Sequence, residues 1–207
     1  MKIMNRRDLL KTASLGALAG TFAATAAHAE KKMMMPWEWT DKHGLVNKLP
    51  KDTAPLENEF EKYPRCPYCG MARKMWHTTR HLVVYEDDAV DGTCSLHCAA
   101  ISLSLNMDRG PKTIYAGDAG SDAEIKPLVD VDKASYVIDP NKMGTMTKVS
   151  KWVYADKAKA DAAAAGSAGA KVAGFEEALQ LAYLDMAKDT LAIRKRRAEK
   201  RKKMMQQ

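Results

Sequence analysis

The residues whose types and spacing could do chemistry are four cysteines in two pairs, Cys66 with Cys69 and Cys94 with Cys98. The first pair stands in Cys66-Pro67-Tyr68-Cys69-Gly70-Met71. Three chemistries use such a string: a redox dithiol, a metal knuckle, or part of a disulfide framework. A thioredoxin-like dithiol sits between a buried strand and a helix N-terminus that lowers the first thiol's pKa. Here "NEFEKYPR" precedes the pair, and Gly70 is a poor second residue for a helix. The knuckle fits these neighbours better, because a glycine there lets the backbone turn and aim amide N–H groups at the sulfurs. Cys94 and Cys98 are four apart at a predicted helix start, so their sulfurs share one face. Two thiolates from a turn and two from a helix start suit a four-sulfur metal site. In an exported chain, two disulfides compete with that reading.

Further soft and nitrogen donors lie nearby. His77 and His81 fall between the pairs, and His97 is near the face of Cys94. Met75, Met107, Met143 and Met146 offer thioethers. Zn(II) takes four thiolates, or thiolates with histidine, whereas Cu(I) accepts thiolate with thioether at low coordination number. The 13 methionines do not separate the two metals, because methionine also fills cores. Met33-Met34-Met35 with His43 forms a further candidate soft-metal site. No paired carboxylates, Gly-rich phosphate loop or Ser-His-Asp arrangement stands out, so the chain reads as a binding protein rather than an enzyme.

The elements that must position these groups form an α+β pattern. Strands are predicted at Arg73 to Thr78 and Leu82 to Glu86, with a turn at Asp87-Asp88 and a tight-turn signal at Asp91-Gly92. Ser95 to Asn106 is a predicted helix, capped by Ser95 or Thr93, with Leu96, Ala99, Ala100, Leu103 and Met107 at helical spacing. "GDAGSDAE" is a loop and Ile125 to Val131 a strand. A similar order follows: strands at Ser135 to Ile138 and Lys148 to Tyr154, an Ala-rich helix from Asp156 to Ala165 ended by Gly166, and a short strand at Lys171 to Gly174. A long helix runs from Phe175 to about Lys200, with Phe175, Leu179, Ala182, Tyr183 and Met186 on one face. Strand-strand-helix-strand therefore occurs twice, as two modules sharing a core, followed by the long helix.

The first 29 residues read as an export signal. Asn5-Arg6-Arg7-Asp8-Leu9-Leu10-Lys11 resembles a twin-arginine motif, Ala13 to Ala26 is modestly apolar, and Ala27-His28-Ala29 places small residues before a cut at Glu30. The apolar run is shorter than a membrane span requires. This predicts a periplasmic mature chain without a transmembrane span. Residues 30–61 read as a polar arm, 62–192 as the metal-binding domain and 193–207 as a basic tail. The net charge of +7 divides into +3 on the signal, +7 on Arg194 to Lys203 and −3 on the rest. Such a tail suits an acidic partner or an anionic membrane surface, and export argues against nucleic acid.

With these residues in view, the chain resembles the NosL family of copper-binding accessory proteins. The resemblance rests on Cys66-Pro67-Tyr68-Cys69-Gly70-Met71, "DGTCSLHC", and "ASYV" through "MG" to "FEEA", and covers roughly residues 62–182. It implies an extracytoplasmic Cu(I) protein that supplies copper to a client such as nitrous oxide reductase, built from two strand-strand-helix-strand modules. By position, Cys69 and Met71 match the family's Cys-Gly-Met segment, Cys94 a cysteine before the first helix, and Met143 the methionine of a Met-Gly segment. The implied metal ligands are Cys66, Cys69 and Met71, then Cys94 and Cys98, then Met143 and Met146, with His97 as a nitrogen donor. The chain departs from typical members in its twin-arginine signal without a lipid-bearing cysteine, its second cysteine pair and its basic tail. Two other readings remain: a structural module held by Zn(II) or disulfides, and a thiol-disulfide oxidoreductase.

Overall fold

A computed structural model describes residues 48–205, together with Glu38 and Lys42. The segment read as an export signal, Met33-Met34-Met35 and His43 lie outside the described residues.

The first module opens with a single turn of helix, α1 (Glu59–Lys62), then β1 (His81–Tyr85), β2 (Val90–Thr93), α2 (Leu96–Leu105) and β3 (Pro111–Gly117). With β4 (Leu128–Asp130) these make an antiparallel sheet in the order β2-β1-β3-β4. The second module repeats the order as β5 (Ser135–Asp139), β6 (Ser150–Tyr154), α3 (Lys157–Ala165) and β7 (Lys171–Ala173), with strands ordered β6-β5-β7. The long helix α4 (Phe175–Met204) follows. The protein is therefore α+β, with two strand-strand-helix-strand modules and a long C-terminal helix.

The modules share one apolar core. Val83 and Tyr85 of β1, Ile114 and Ala116 of β3 and Leu96, Ala99 and Ala100 of α2 pack with Tyr136, Val153, Ala178 and Ala182. The predicted face of α4 is the one that docks: Ala178 and Ala182 are buried, and Phe175, Leu179 and Met186 pack beside them. Tyr183 donates to Ala100 O at 2.9 Å and ties α4 to α2. The seam also carries a polar joint. His81 Nδ1–H donates to Thr79 O, because a carbonyl can only accept, so Nε2 accepts from the Tyr136 hydroxyl, each at 2.9 Å.

Several expected elements differ. Arg73 to Thr78 is a run of turns rather than a strand. Its amides bond three or four residues back, Trp76 N to Arg73 O and Arg80 N to Trp76 O, and leave no ladder to form. Asp91-Gly92 is not a turn but lies inside β2, paired with Val83 and Leu82, and the hairpin turns at Asp87-Asp88. Gly92 is there for space: a Cβ would come within 2.6 Å of Tyr63 Cβ and 3.0 Å of the Arg73 guanidinium. The strand β3 has no counterpart in the sequence reading. Its Pro111 sits at the first position, opposite Tyr85 at a register shift, where a missing N–H is tolerated. The strand over 125–131 is confined to Leu128–Asp130, and Met107 lies beyond the end of α2 with its side chain exposed.

Candidate metal centre

The knuckle is built by its own backbone and fixed at its base by a buried ionic cluster. Gly70 N donates to Cys66 O and Cys66 N to Met71 O, both at 2.9 Å, closing a tight loop around Cys66 to Met71. Gly70 has φ +75°, a conformation that favours glycine, and the space around it is open. Arg73 N donates to Pro64 O at 2.9 Å, and the fully buried Arg73 side chain holds the loop down. Its guanidinium pairs with Glu59 at 2.7 Å and donates to the carbonyls of Tyr63 and Thr93. Arg80 takes the other Glu59 oxygen at 2.6 Å. One carboxylate thus carries two guanidinium groups, and each reaches backbone carbonyls as well.

The second pair comes from the start of α2. Cys94 follows directly on β2 and Cys98 lies in the first turn. Ser95 occupies the N-cap position, yet its side chain makes no capping bond. Cys94 just before the helix and Cys98 in its first turn bring two sulfurs to this end, 3.7 Å apart. Thr79 holds the junction, its hydroxyl donating to Cys94 O at 2.9 Å and pairing with the Thr145 hydroxyl at 2.8 Å.

The two pairs meet. The sulfurs of Cys66, Cys69, Cys94 and Cys98 all lie within 4.8 Å of one another, and no disulfide joins them. Cys69 and Cys94 are 3.4 Å apart, Cys94 and Cys98 3.7 Å, and Cys98 and Cys69 3.9 Å. A tetrahedral ion with metal–sulfur bonds of about 2.3 Å spaces its sulfurs about 3.8 Å apart. Cys66, Cys94 and Cys98 are buried, and Cys69 is partly exposed. The thiols of Cys94 and then Cys98, with backbone N–H groups of Tyr68 and Cys94, hold the Cys66 thiol far below its ordinary range. The same contact with Cys66 pushes the Cys94 and Cys98 thiols up. Thiolates this close repel one another, and a bound cation would let several of them share the space.

The other predicted ligands divide. Met71 packs against the cysteine cluster. Met143 and Met146 line a groove of about 560 Å³ with His97 and Met186. Met143 is 82% exposed, and Met146 sits at φ +66°. His97 Nδ1 is buried without a hydrogen-bond partner, and burial lowers the imidazole pKa. Both nitrogens of His81 are engaged at the module seam, and His77 Nδ1 accepts from Lys126 N at 3.2 Å.

Sequence reasoning missed what holds the knuckle in place. Glu59, Arg73 and Arg80 look like surface charges in the sequence, and only the fold brings them together. Tyr68, between the cysteines, is a second such residue. Its hydroxyl donates to the buried Asp91, which also accepts from Ser102 at 2.6 Å. Tyr85 and Ser102 share a hydrogen bond at 2.7 Å, completing a polar chain beneath the cluster.

Comparisons with known proteins give a structural likeness and a family match. A crystal structure of the copper chaperone NosL from Shewanella denitrificans is similar over 62% of this chain and 96% of that one, at 20% identity and a TM-score of 0.43. No curated protein matches the chain. The NosL family model matches residues 57–181, which is 125 of 207 residues and includes all four cysteines and both modules. The chain belongs to the NosL family.

Proposed function

We propose that this protein is a periplasmic metallochaperone that binds Cu(I) and passes it to a client such as nitrous oxide reductase. The carrying observation is the cluster of four unpaired thiols, three buried and Cys69 at its accessible edge. Thiolate with a neighbouring thioether, here Met71, is a donor set that suits Cu(I). Cys66, Cys69, Cys94 and Cys98 hold the ion. Cys69 is where an incoming ligand exchanges with a sulfur of the cage. Met143, Met146 and His97 extend the soft donors along the adjoining groove. The residues bind and release a cargo and perform no turnover. Thiolates bind only when deprotonated, so affinity falls as pH is lowered.

The spacing of the Cys69, Cys94 and Cys98 sulfurs, near that of a tetrahedral site, favours a second reading, a structural Zn(II) site that clamps the knuckle to α2. One experiment separates them. The mature protein is purified anaerobically after export with copper available, and metal content and free thiols are measured together. The expected result is about one copper per chain, with thiols recovered only after the metal is stripped. Zinc that resists exchange establishes the second reading. No metal and no thiols after denaturation means disulfides and refutes both. Cys69→Ala is expected to abolish tight Cu(I) binding in a competition titration with a chromophoric chelator. Unchanged stoichiometry and affinity contradict the assignment.

A further inference from the structure

The cations of this protein fall into two populations. In the body most are matched: Lys51, Lys62, Arg73, Arg80, Lys151 and Lys159 each meet a carboxylate, and others do likewise. At the end of α4 none is. Arg194 to Lys203 holds eight cations against Glu199, and no ion pair involving them occurs among the described residues. The segment is helical to Met204 and stands off the core, since its residues are exposed from Thr190 onward apart from Ala198. Like charges three and four apart on a helix repel, so this end carries a standing electrostatic cost that a complementary surface would relieve. The positively charged end also continues from the soft-donor groove, whose lining runs from His97, Met143 and Met146 past Met186 to Ile193 and Arg196.

We infer that the basic end of α4 and the adjoining methionine groove form one docking face for an acidic protein surface beside the copper-receiving site of the client. This rests on the chaperone reading and adds to it how the partner is selected and aligned. A protein cleft fits better than a bilayer for a geometric reason. At 100° per residue, the eight cations point all round the helix. A flat anionic membrane meets only one side of such a helix, and between Arg194 and Lys203 Ala198 is the one apolar residue to insert. Acidic walls on more than one side meet most of the charges. With α4 held there, the groove and its exposed Met143 are presented to the same partner. Steering of this kind acts on the rate of encounter and weakens with salt.

The test compares the copper-loaded mature protein with a variant carrying Arg194→Glu, Arg197→Glu, Lys200→Glu and Arg201→Glu. Each reversal removes two charges, so the segment goes from +7 to −1. The probe is apo-nitrous oxide reductase, with copper transfer followed in stopped flow at several salt concentrations. Cu(I) affinity and helix content are measured on both proteins. Expected is transfer by the wild type that slows with salt. The variant should be about tenfold slower at low salt, with little salt dependence and unchanged Cu(I) affinity. Equal rates and equal salt dependence overturn the docking face and leave the chaperone reading standing. No transfer from a copper-loaded wild type overturns that choice of client, and the inference with it. Charge-dependent binding to vesicles of phosphatidylcholine and phosphatidylglycerol, or to duplex DNA, with transfer rates equal in the two proteins, assigns the segment to those surfaces and overturns it as well.

Discussion

The two modules have one element order and different inventories at the start of their helices. In the second, Asp156 caps α3, its carboxylate accepting from Ala158 N at 2.7 Å and Lys159 N at 3.4 Å. In the first, Ser95 stands at the same place and caps nothing, while Cys94 and Cys98 occupy the junction and the first turn. A helix N-terminus carries unsatisfied N–H groups and partial positive charge. The second module neutralises that end with a carboxylate, whereas the first leaves it without a side-chain cap and sets two cysteines around it. The same divergence shows beneath. The first module buries the Glu59, Arg73 and Arg80 cluster to hold a loop, and the second fills its interior between β5, β6 and α3 with Val137, Tyr154 and Ala160. The fold is repeated, and the four-cysteine cluster lies in the copy that lacks the cap and carries the buried charge.

The sharpest way to break this comparison is to remove the charge beneath the knuckle. Arg73→Met leaves Glu59 with a single partner and frees the carbonyls of Tyr63 and Thr93. Breaking a buried pair from one side costs about 3–5 kcal/mol. We expect a loss of that size in urea unfolding of the metal-free protein, and weaker metal binding, since the base of the cysteine loop is no longer held. A loss below about 1 kcal/mol would mean that the loop is held by its backbone bonds alone.

Much of the site was legible in the sequence and its support was not. The cysteine spacings and Gly70 are local signals, readable because a turn and a helix face are set by residues a few positions apart. The face of α4 was readable for the same reason. What failed was decided across the chain. Asp91-Gly92 carries a strong local turn signal, but Tyr63 and Arg73 need a residue without a Cβ in β2. Arg73 looked like the start of a strand because nothing nearby shows that its guanidinium pairs with Glu59, 14 positions earlier. β3 escaped because Pro111 opens it, and a proline argues against a strand inside a sheet unless a register shift excuses it.

The seam between the modules gives the next prediction. His81, at the start of β1, is fully buried against Tyr136, and burial, with Arg73 and Arg80 nearby, lowers its pKa from 6.5 to about 4. The unfolded chain takes up a proton near pH 6.5 that the folded chain refuses until about pH 4. Stability is therefore untouched above pH 7 and falls as pH drops through that window, by about 3 kcal/mol in all at 1.36 kcal/mol per unit. Urea titrations of wild type and His81→Asn over this range are expected to converge as pH falls. Asp52, held at about 2 by Lys62 and Tyr63, loses its contribution only at lower pH, which keeps the two effects apart. Parallel stability curves for the two proteins would remove His81 from the seam's acid response.

The smallest effect tests the comparison most directly. If the second module's helix depends on its cap, Asp156→Ala loses about 1 kcal/mol in urea unfolding. If the first module has given its cap up, Ser95→Ala in metal-free protein loses clearly less, because Ser95 makes no bond to the helix amides. The metal-loaded protein should widen the contrast. Thiolates gathered at α2 would then supply the negative charge that Asp156 supplies to α3, and loading should stabilise α2 while leaving α3 unchanged. Hydrogen exchange at the amides of Leu96 to Ala99 and of Lys157 to Ala160, with and without Cu(I), reads both ends at once. Slowing confined to the first set is expected. Equal slowing at both ends would mean that metal tightens the whole fold, and that the uncapped helix end has no part in holding the ion.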